Sequence, residues 1–295
     1  SIRLVQFDKY CRVEGNRIKL PNGIGLVKFR KSQDIIGVIK NVTISKKSGH
    51  WYVLFGTERE LAQNPRHPAT SAIGLDMGIT KLLTTSNGET IKPKNSFKAN
   101  QIKLAKLQRQ LSRKVLFSQN WKKHNRKIQK LHSHIANIRH DYLHKVTTSI
   151  SKNHAMIACE DLKVANMSKS AGGSAAQHGR NVKAKSGLNK SILDQGWGMM
   201  IDMLEYKQQW QGGLLIKVNP RYTSQTCSQC QHIAKENRQT QSKFECVKCG
   251  HKANADINAA RNILSAGHAV LSAEGGCNKG RPMKQKTSDI REKVA

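Results

Sequence analysis

Cys227 and Cys230 stand two residues apart, as do Cys246 and Cys249, and 15 residues separate the pairs. Two intervening residues let both thiolates of a pair turn onto one ion, and four thiolates complete the tetrahedral shell of a structural Zn2+. Such a shell has no open position for a substrate, so this zinc would hold structure. His232 and His251 lie nearby, but four cysteines suffice. Cys11, Cys159 and Cys277 have no partner in the pattern and no assigned role; a reducing compartment is the expectation.

Seven residues after Cys249 comes Asp256, at the start of a predicted helix with Asn254 as its N-cap. On that helix Asp256 lies about 40° from Ala260, beside an apolar stripe of Ile257, Ala260 and Leu264. It can therefore point at a sheet instead of water. Two other carboxylates sit at comparable places. Asp76 follows "SAIGL", where Ile73 and Leu75 alternate towards one face and leave Asp76 with Gly74 on the other. Glu160 ends the apolar strand "MIAC", and a carboxylate closing a buried strand is costly unless it is paired or binds a cation. Each acid has an ordinary explanation, a dipole partner in a helix's first turn or a cap at a strand end. Their joint pattern is a strand meander with Asp, a buried strand ending in Glu and a late helix opening with Asp. That is the order of a ribonuclease H-like nuclease core. Hard divalent cations such as Mg2+ take oxygen ligands, and two of them can activate water and stabilise the leaving oxygen of a phosphodiester.

The rest of the chain is predicted as follows. Residues 1–69 are β, with strands "NRIKLP" and "GLVKFR" parted by "NG", then "VIKNVTIS" and "WYVLFGTE" flanking "KKSGH". "LAQNPRHPAT" is a linker. "SAIGLDMGIT", "KLLTTS" and "ETIKP" form an antiparallel meander. Two helices follow. One carries Leu104, Leu107 and Leu111, the other Ile128, Leu131, Ile135, Ile138 and Tyr142, seams that would pair as a helical hairpin. A basic loop over 167–187, a helix over 189–211 and the strand "GLLIKVNP" precede the cysteines. No internal repeat is evident.

Lys and Arg total 51 against 19 Asp and Glu, a formal charge of +32, which calls for a polyanionic partner. Between 92 and 145 there are 15 Lys and Arg, five His and one acid, Asp141. A solvated helix face mixes signs; this one does not. Lys103, Lys106, Arg109, Arg113, Lys122, Lys123, Arg126 and Lys127 are the candidate nucleic-acid contacts. No apolar run approaches the roughly 20 residues needed to span a bilayer, and there is no signal-peptide pattern, so no membrane contact and a cytoplasmic location are expected.

"GLDMGITKLLTTSNG", "IACEDLKVANM" and "NPRYTSQTCSQC … FECVKCGHKANADINAARNIL" resemble the three RuvC segments and zinc ribbon of TnpB, the OrfB-type "transposase" of insertion sequences, related to type V CRISPR effectors. The resemblance covers roughly residues 10 to 285. It implies an α/β fold: a ribonuclease H-like (RuvC) core with an inserted four-cysteine zinc ribbon, a helical hairpin and an N-terminal β-barrel-like portion. It implies that Asp76, Glu160 and Asp256 are the metal-binding catalytic triad. The activity implied is RNA-guided DNA cutting, with target DNA and a guide RNA from the transposon end as partners, structural Zn2+ and catalytic Mg2+.

The expected division is a partial wedge-like barrel over 1–69, a nuclease core over 70–226 including the hairpin at 95–153, the ribbon at 227–252, a final helix at 253–266 and a polar tail at 267–295. Family members carry more sequence ahead of the β region, and this chain opens at Ser1 without an initiator Met, as a fragment would. The competing expectation is a nuclease-inactive or truncated TnpB-derived protein that binds DNA or RNA. Substitution in the triad would mark it, and the triad is intact.

Overall fold

The computed structural model describes residues 1–31, 34–59, 66–174 and 177–275. Residues 61–65 of the expected linker, Cys277 and the tail from 276 lie outside the described residues. The chain divides into two compact units. Of the described residues, one holds 1–59 and 106–133, the other 66–105 and 134–275.

The first unit begins with β1 (Ile2–Leu4), α1 (Phe7–Tyr10), β2 (Arg12–Glu14), β3 (Arg17–Leu20), β4 (Gly25–Lys28), β5 (Val38–Lys47) and β6 (His50–Glu58). β2, β3 and β4 form one antiparallel sheet, and β1, β5 and β6 another. Alternation in these strands turns Ile18, Leu20, Val42 and Val53 into a shared core with Cys11. Two small sheets pack around this core, and no strand pairing joins them into a ring among the described residues. The hairpin of β5 and β6 turns at Ser48 and Gly49, both at positive φ. The Ser48 hydroxyl reaches the Gln129 carbonyl at 3.1 Å, within the same unit.

The second unit is built on a five-stranded sheet. β7 (Ala72–Met77), β8 (Leu83–Thr85) and β9 (Thr90–Ile91) form the expected antiparallel meander. The long helices α2 (Ser96–Ser112) and α3 (Gln119–Asn153) follow, with residues 106–112 and 119–133 of them counted in the first unit. Of the apolar residues expected to line them, Leu104 of α2 and Ile128, Leu131 and Ile135 of α3 are buried, and Leu107, Leu111, Ile138 and Tyr142 are half-buried. Next come β10 (Met156–Glu160), the short α4 (Val164–Met167), α5 (Val182–Gln195), α6 (Trp197–Gln211) and β11 (Leu214–Val218). β10 lies between β7 and β11, parallel to both. The sheet order is β11-β10-β7-β8-β9.

Period-two alternation sorts the two faces. Ile73, Leu75, Met77, Ile157 and Cys159 face one way, into a core with Leu143, Ile150, Ile192, Trp197, Met200 and Leu204 from α3, α5 and α6. Met156 and Ala158 face the other way, into a second cluster with Ile216, Val218 and Ile263. That second face is covered by α7 (Ala255–Gly275), which follows the ribbon strands β12 (Lys243–Glu245) and β13 (Lys252–Asn254).

Several expectations change. The helix expected over 189–211 is two helices, because Gly196 takes a left-handed φ of 71° and breaks the run between α5 and α6. α5 also takes Val182–Gly187 from the segment expected to be loop. Asp194 on α5 accepts hydrogen bonds from the backbone N–H groups of Phe97 and Lys98 and from the Ser96 hydroxyl. A carboxylate 97 residues away thus caps α2, where the charge meets the positive end of the helix dipole. Finally, α7 continues to Gly275, past residue 266 where the final helix was expected to end. Gly267 does not stop it because the helix packs tightly there: a Cβ at 267 would sit 2.7 Å from that of Ala158.

Candidate metal centres

The first site is the ribbon. Any two of the sulfurs of Cys227, Cys230, Cys246 and Cys249 lie within 4.8 Å of each other. Cys227 and Cys249 are 3.7 Å apart, and Cys230 and Cys246 3.5 Å. Zn–S bonds of about 2.3 Å give a tetrahedral S···S edge of about 3.8 Å, so the cage has the size of a Zn2+ shell and not of two disulfides. Both knuckles are built alike. The Cys227 N–H donates to the His232 carbonyl and that of Gln231 to the Cys227 carbonyl; the Cys246 N–H donates to the His251 carbonyl and that of Gly250 to the Cys246 carbonyl. Gln231 and Gly250 both take positive φ at the matching position. The two histidines therefore serve the knuckles through their backbone. At Cys246, burial works against the thiolate, but the N–H groups of Cys249 and Lys248 and the thiols of Cys230 and Cys249 together bring the thiol down, while the thiol of Cys249 is raised by its sulfur neighbours. Cys159, by contrast, is buried in the sheet and pushed up to about 12, which suits an inert core thiol.

The second site is at one end of the large sheet. In the parallel pair of β7 and β10, Ala158 is opposite Gly74 and Cys159 opposite Leu75. The next step in register brings Glu160 level with Asp76, on the face that α7 covers. Small residues let α7 come close: a Cβ at Gly74 would lie 2.1 Å from the Ala260 carbonyl oxygen. α7 starts at Ala255 with Asn254 as its cap, whose side-chain oxygen accepts from the Asp256 and Ile257 N–H groups at 3.1 and 3.4 Å. The opening turn of α7 thus carries Asp256 to the same end of the sheet.

The electrostatics record the convergence. Burial, and then the negative charges of Glu160 and Asp256, push Asp76 up to about 7, against the opposing pull of Arg238 and Lys81. Burial also raises Glu160, partly offset by the Thr223 hydroxyl, which donates to it at 2.6 Å. Asp256 takes an ion pair from Lys81 at 3.0 Å and a longer one from Arg238 at 3.9 Å. Three carboxyl groups thus share this end of the sheet with two basic side chains, Lys81 and Arg238. The donor set of the three acids is all oxygen, which fits a hard divalent cation such as Mg2+.

Five residues were missed from sequence. Lys81 follows the turn after β7, and Arg238 comes from the ribbon. Thr223 lies in the stretch entering the ribbon, and Asn262 holds it by donating to the carbonyls of Thr223 and Thr226 at 2.9 and 2.6 Å. Asn258 binds the Thr226 carbonyl and the Ser228 N–H. These two buried asparagines, one turn apart, share the inward face of α7 with Ala255, Ala259, Ala260 and Ile263, while Ile257 and Leu264 of the expected stripe are only half-buried. Polar residues at buried helical positions were the available signal.

The eight named basic residues, seven on α2 and α3 and Arg113 just past the end of α2, are all exposed. No helix among the described residues is long and apolar enough to cross a membrane.

A family model described as "Probable transposase" (OrfB_IS605) matches residues 52–171, and a second, "Cas12f1-like, TNB domain", matches residues 197–263. The chain is 58% identical over 282 residues to "Putative RNA-guided DNA endonuclease InsQ" of Escherichia coli (strain K12), covering 96% of this chain and 70% of that protein. It is 32% identical over 255 residues to "Putative RNA-guided DNA endonuclease" of Streptomyces pristinaespiralis, covering 86% of this chain and 58% of that one. A cryo-EM structure of a Cas12f1-sgRNA-target DNA complex aligns with 76% of this chain and 55% of that chain at 21% identity, with a TM-score of 0.44.

Proposed function

The chain belongs to the OrfB/TnpB family of IS605-type insertion sequences, and from that premise we propose that it carries the nuclease core of an RNA-guided DNA endonuclease. What supports this reading is the placement of Asp76, Glu160 and Asp256 at one end of the sheet, where burial and then the charges of Glu160 and Asp256 push Asp76 up to about 7. The strand order β11-β10-β7-β8-β9, with Asp76 and Glu160 near the ends of adjacent strands and Asp256 at the start of a helix, supports a ribonuclease H-like, RuvC-type core. Divalent cations such as Mg2+ held there would supply an activated water and shield the charge building on the leaving oxygen. Asp76 and Glu160 offer oxygens from adjacent strands, and Asp256 offers its own from the helix above. Thr223 fixes the rotamer of Glu160. Lys81 and Arg238 hold Asp256 in place and favour an incoming phosphate. Zn2+ on the four cysteines would brace the excursion between β11 and α7 and so fix the direction in which α7 returns.

Because the chain spans 70% and 58% of these two relatives, RNA guiding and target choice are proposed for the protein with its guide RNA from the transposon end. Lys103, Lys106, Arg109, Arg113, Lys122, Lys123, Arg126 and Lys127 are the proposed phosphate contacts. The test is cutting of guide-matched DNA by the protein–RNA complex in Mg2+. Asp76→Ala, Glu160→Gln and Asp256→Asn should each abolish cutting while RNA binding survives, and pairs of these changes should lose no more than one alone. Cutting by Asp256→Asn at the wild-type rate would return Asp256 to the role of a helix-start acid and overturn the three-carboxylate centre.

A further inference from the structure

The tip of the helical hairpin exposes three consecutive apolar side chains. Val115, Leu116 and Phe117 are 79%, 62% and 67% accessible. The turn that carries them is defined by its own hydrogen bonds. The Lys114 N–H donates to the Leu111 carbonyl, the Ser118 N–H to the Val115 carbonyl, and the Ser118 hydroxyl accepts from the Trp121 N–H at 3.1 Å to cap α3. Phe117 takes a φ of 62°, a left-handed conformation that bulky residues rarely adopt. Its ring meets that of Trp121 edge to face at 5.5 Å, so Phe117 has a backing ring on one side and its remaining surface in water. Three exposed apolar residues in a row cost stability unless they serve a function, and a strained aromatic at the centre of the run adds to that cost.

The surroundings say what would cover them. Between residues 103 and 130 there are ten Lys and Arg and no Asp or Glu. Arg113 and Lys114 precede the tip, and Lys122 and Lys123 follow it. An apolar tip inside so strongly positive a frame suits a ligand that is apolar at its centre and anionic at its edges. A base with flanking phosphates is such a ligand: rings stack on its face and cations meet its backbone.

We infer that Val115, Leu116 and Phe117 form a wedge that docks on the unpaired bases at a fork of duplex DNA, with Arg113, Lys114, Lys122 and Lys123 on the adjoining phosphates. This rests on the nucleic-acid reading of the basic helices. DNA is the occupant because its base steps unstack around inserted apolar side chains, whereas paired A-form RNA keeps its bases in a groove too deep and narrow for side chains. A nuclease that pairs a guide with one strand must hold a duplex open, and a wedge at the fork does that without reading sequence.

The test uses the purified chain and three fluorescent probes: a DNA duplex ending in two unpaired oligothymidine arms, the same duplex with a blunt end, and a forked RNA of matching sequence. Wild type should bind the forked DNA more tightly than the blunt one. Val115→Ser/Leu116→Ser/Phe117→Asn should lose about tenfold on forked DNA, the size of one or two stacking contacts. Its affinity for blunt DNA and its salt dependence should not change, and its melting temperature should not fall. Phe117→Asn alone keeps a residue that tolerates the left-handed turn, so it reports on stacking even if the triple variant folds poorly. Undiminished fork binding by these variants would overturn the inference, as would equal losses on fork and blunt DNA, a loss confined to forked RNA, or a change in oligomeric state with no change in DNA binding. If wild type binds none of the probes, it is the nucleic-acid reading itself that falls.

Discussion

Gly74→Ala is a single methyl group placed where α7 crosses β7. The added Cβ would sit 2.1 Å from the Ala260 carbonyl oxygen and 2.9 Å from both the Cβ and the backbone nitrogen of Leu264. Non-bonded carbon contacts are comfortable at about 3.5 Å, so α7 must retreat by roughly an ångström or the strand must bend. Overpacking of this kind costs about 1–3 kcal/mol. For a unit of this size each kcal/mol moves the melting temperature by about 2–4 °C, so a fall of about 2–12 °C is expected. The functional loss should be larger than the stability loss. Asp256 rides on the first turn of α7, and a misplacement of about 1 Å at a reacting centre can cost 10²-fold. The assays are thermal unfolding and cleavage of guide-matched DNA at a temperature where both proteins are folded. Gly187→Ala is the control: it lies mid-helix in α5 with nothing within 4 Å of the new methyl group. It should stabilise by about 0.5–1 kcal/mol. A Gly74→Ala protein that melts and cuts like wild type would refute the claim that close approach of α7 sets the carboxylate geometry.

Other expectations follow from the same contacts. Asp76 has an ordinary value of 3.8 and is pushed up to about 7 in the fold, so the native state holds a proton that the unfolded chain releases in that window. Without divalent cations, stability should therefore fall as pH rises from about 4 to about 7. In chelator above that range Asp76→Asn should melt higher than wild type, and Mg2+ should raise only the wild type; identical melting would contradict the crowding of charge. Thr223→Val keeps the shape but not the hydrogen bond to Glu160, so it should weaken Mn2+ binding measured by calorimetry while Thr223→Ser restores it; equal affinities in all three would dismiss the positioning role. Metal analysis should find one Zn2+ per chain, lost in Cys227→Ser, and zinc-free protein whose four thiols alkylate in the folded state would exclude the cage. Replacing four of the eight basic hairpin residues with Gln should flatten the log–log salt dependence of nucleic-acid binding by about 0.7–0.9 per lost contact, and an unchanged slope would make them surface charge.

Local information carried a good part of this protein. The four-cysteine cluster was legible because its members sit in two short spacings. The strands of the meander and β10 were legible because alternation marks which side of a strand is buried, and the charge of the helical pair was legible as composition. Alternation even assigned Asp76 and Gly74 to one face. What periodicity cannot supply is the neighbour across that face. Asp76 and Glu160 come together only through the parallel register of β7 and β10. Lys81 and Asp256 meet across 175 residues, Thr223 and Glu160 across 63, and Asp194 caps α2 from 97 residues away. The break at Gly196 and the uninterrupted run through Gly267 make the same point. The two glycines are alike in sequence, but one must turn the chain between two packed helices and the other must let a helix lie against Ala158. Sequence period records which way a side chain points; only the folded sheet, by bringing distant strands into register beneath α7, decides what it points at.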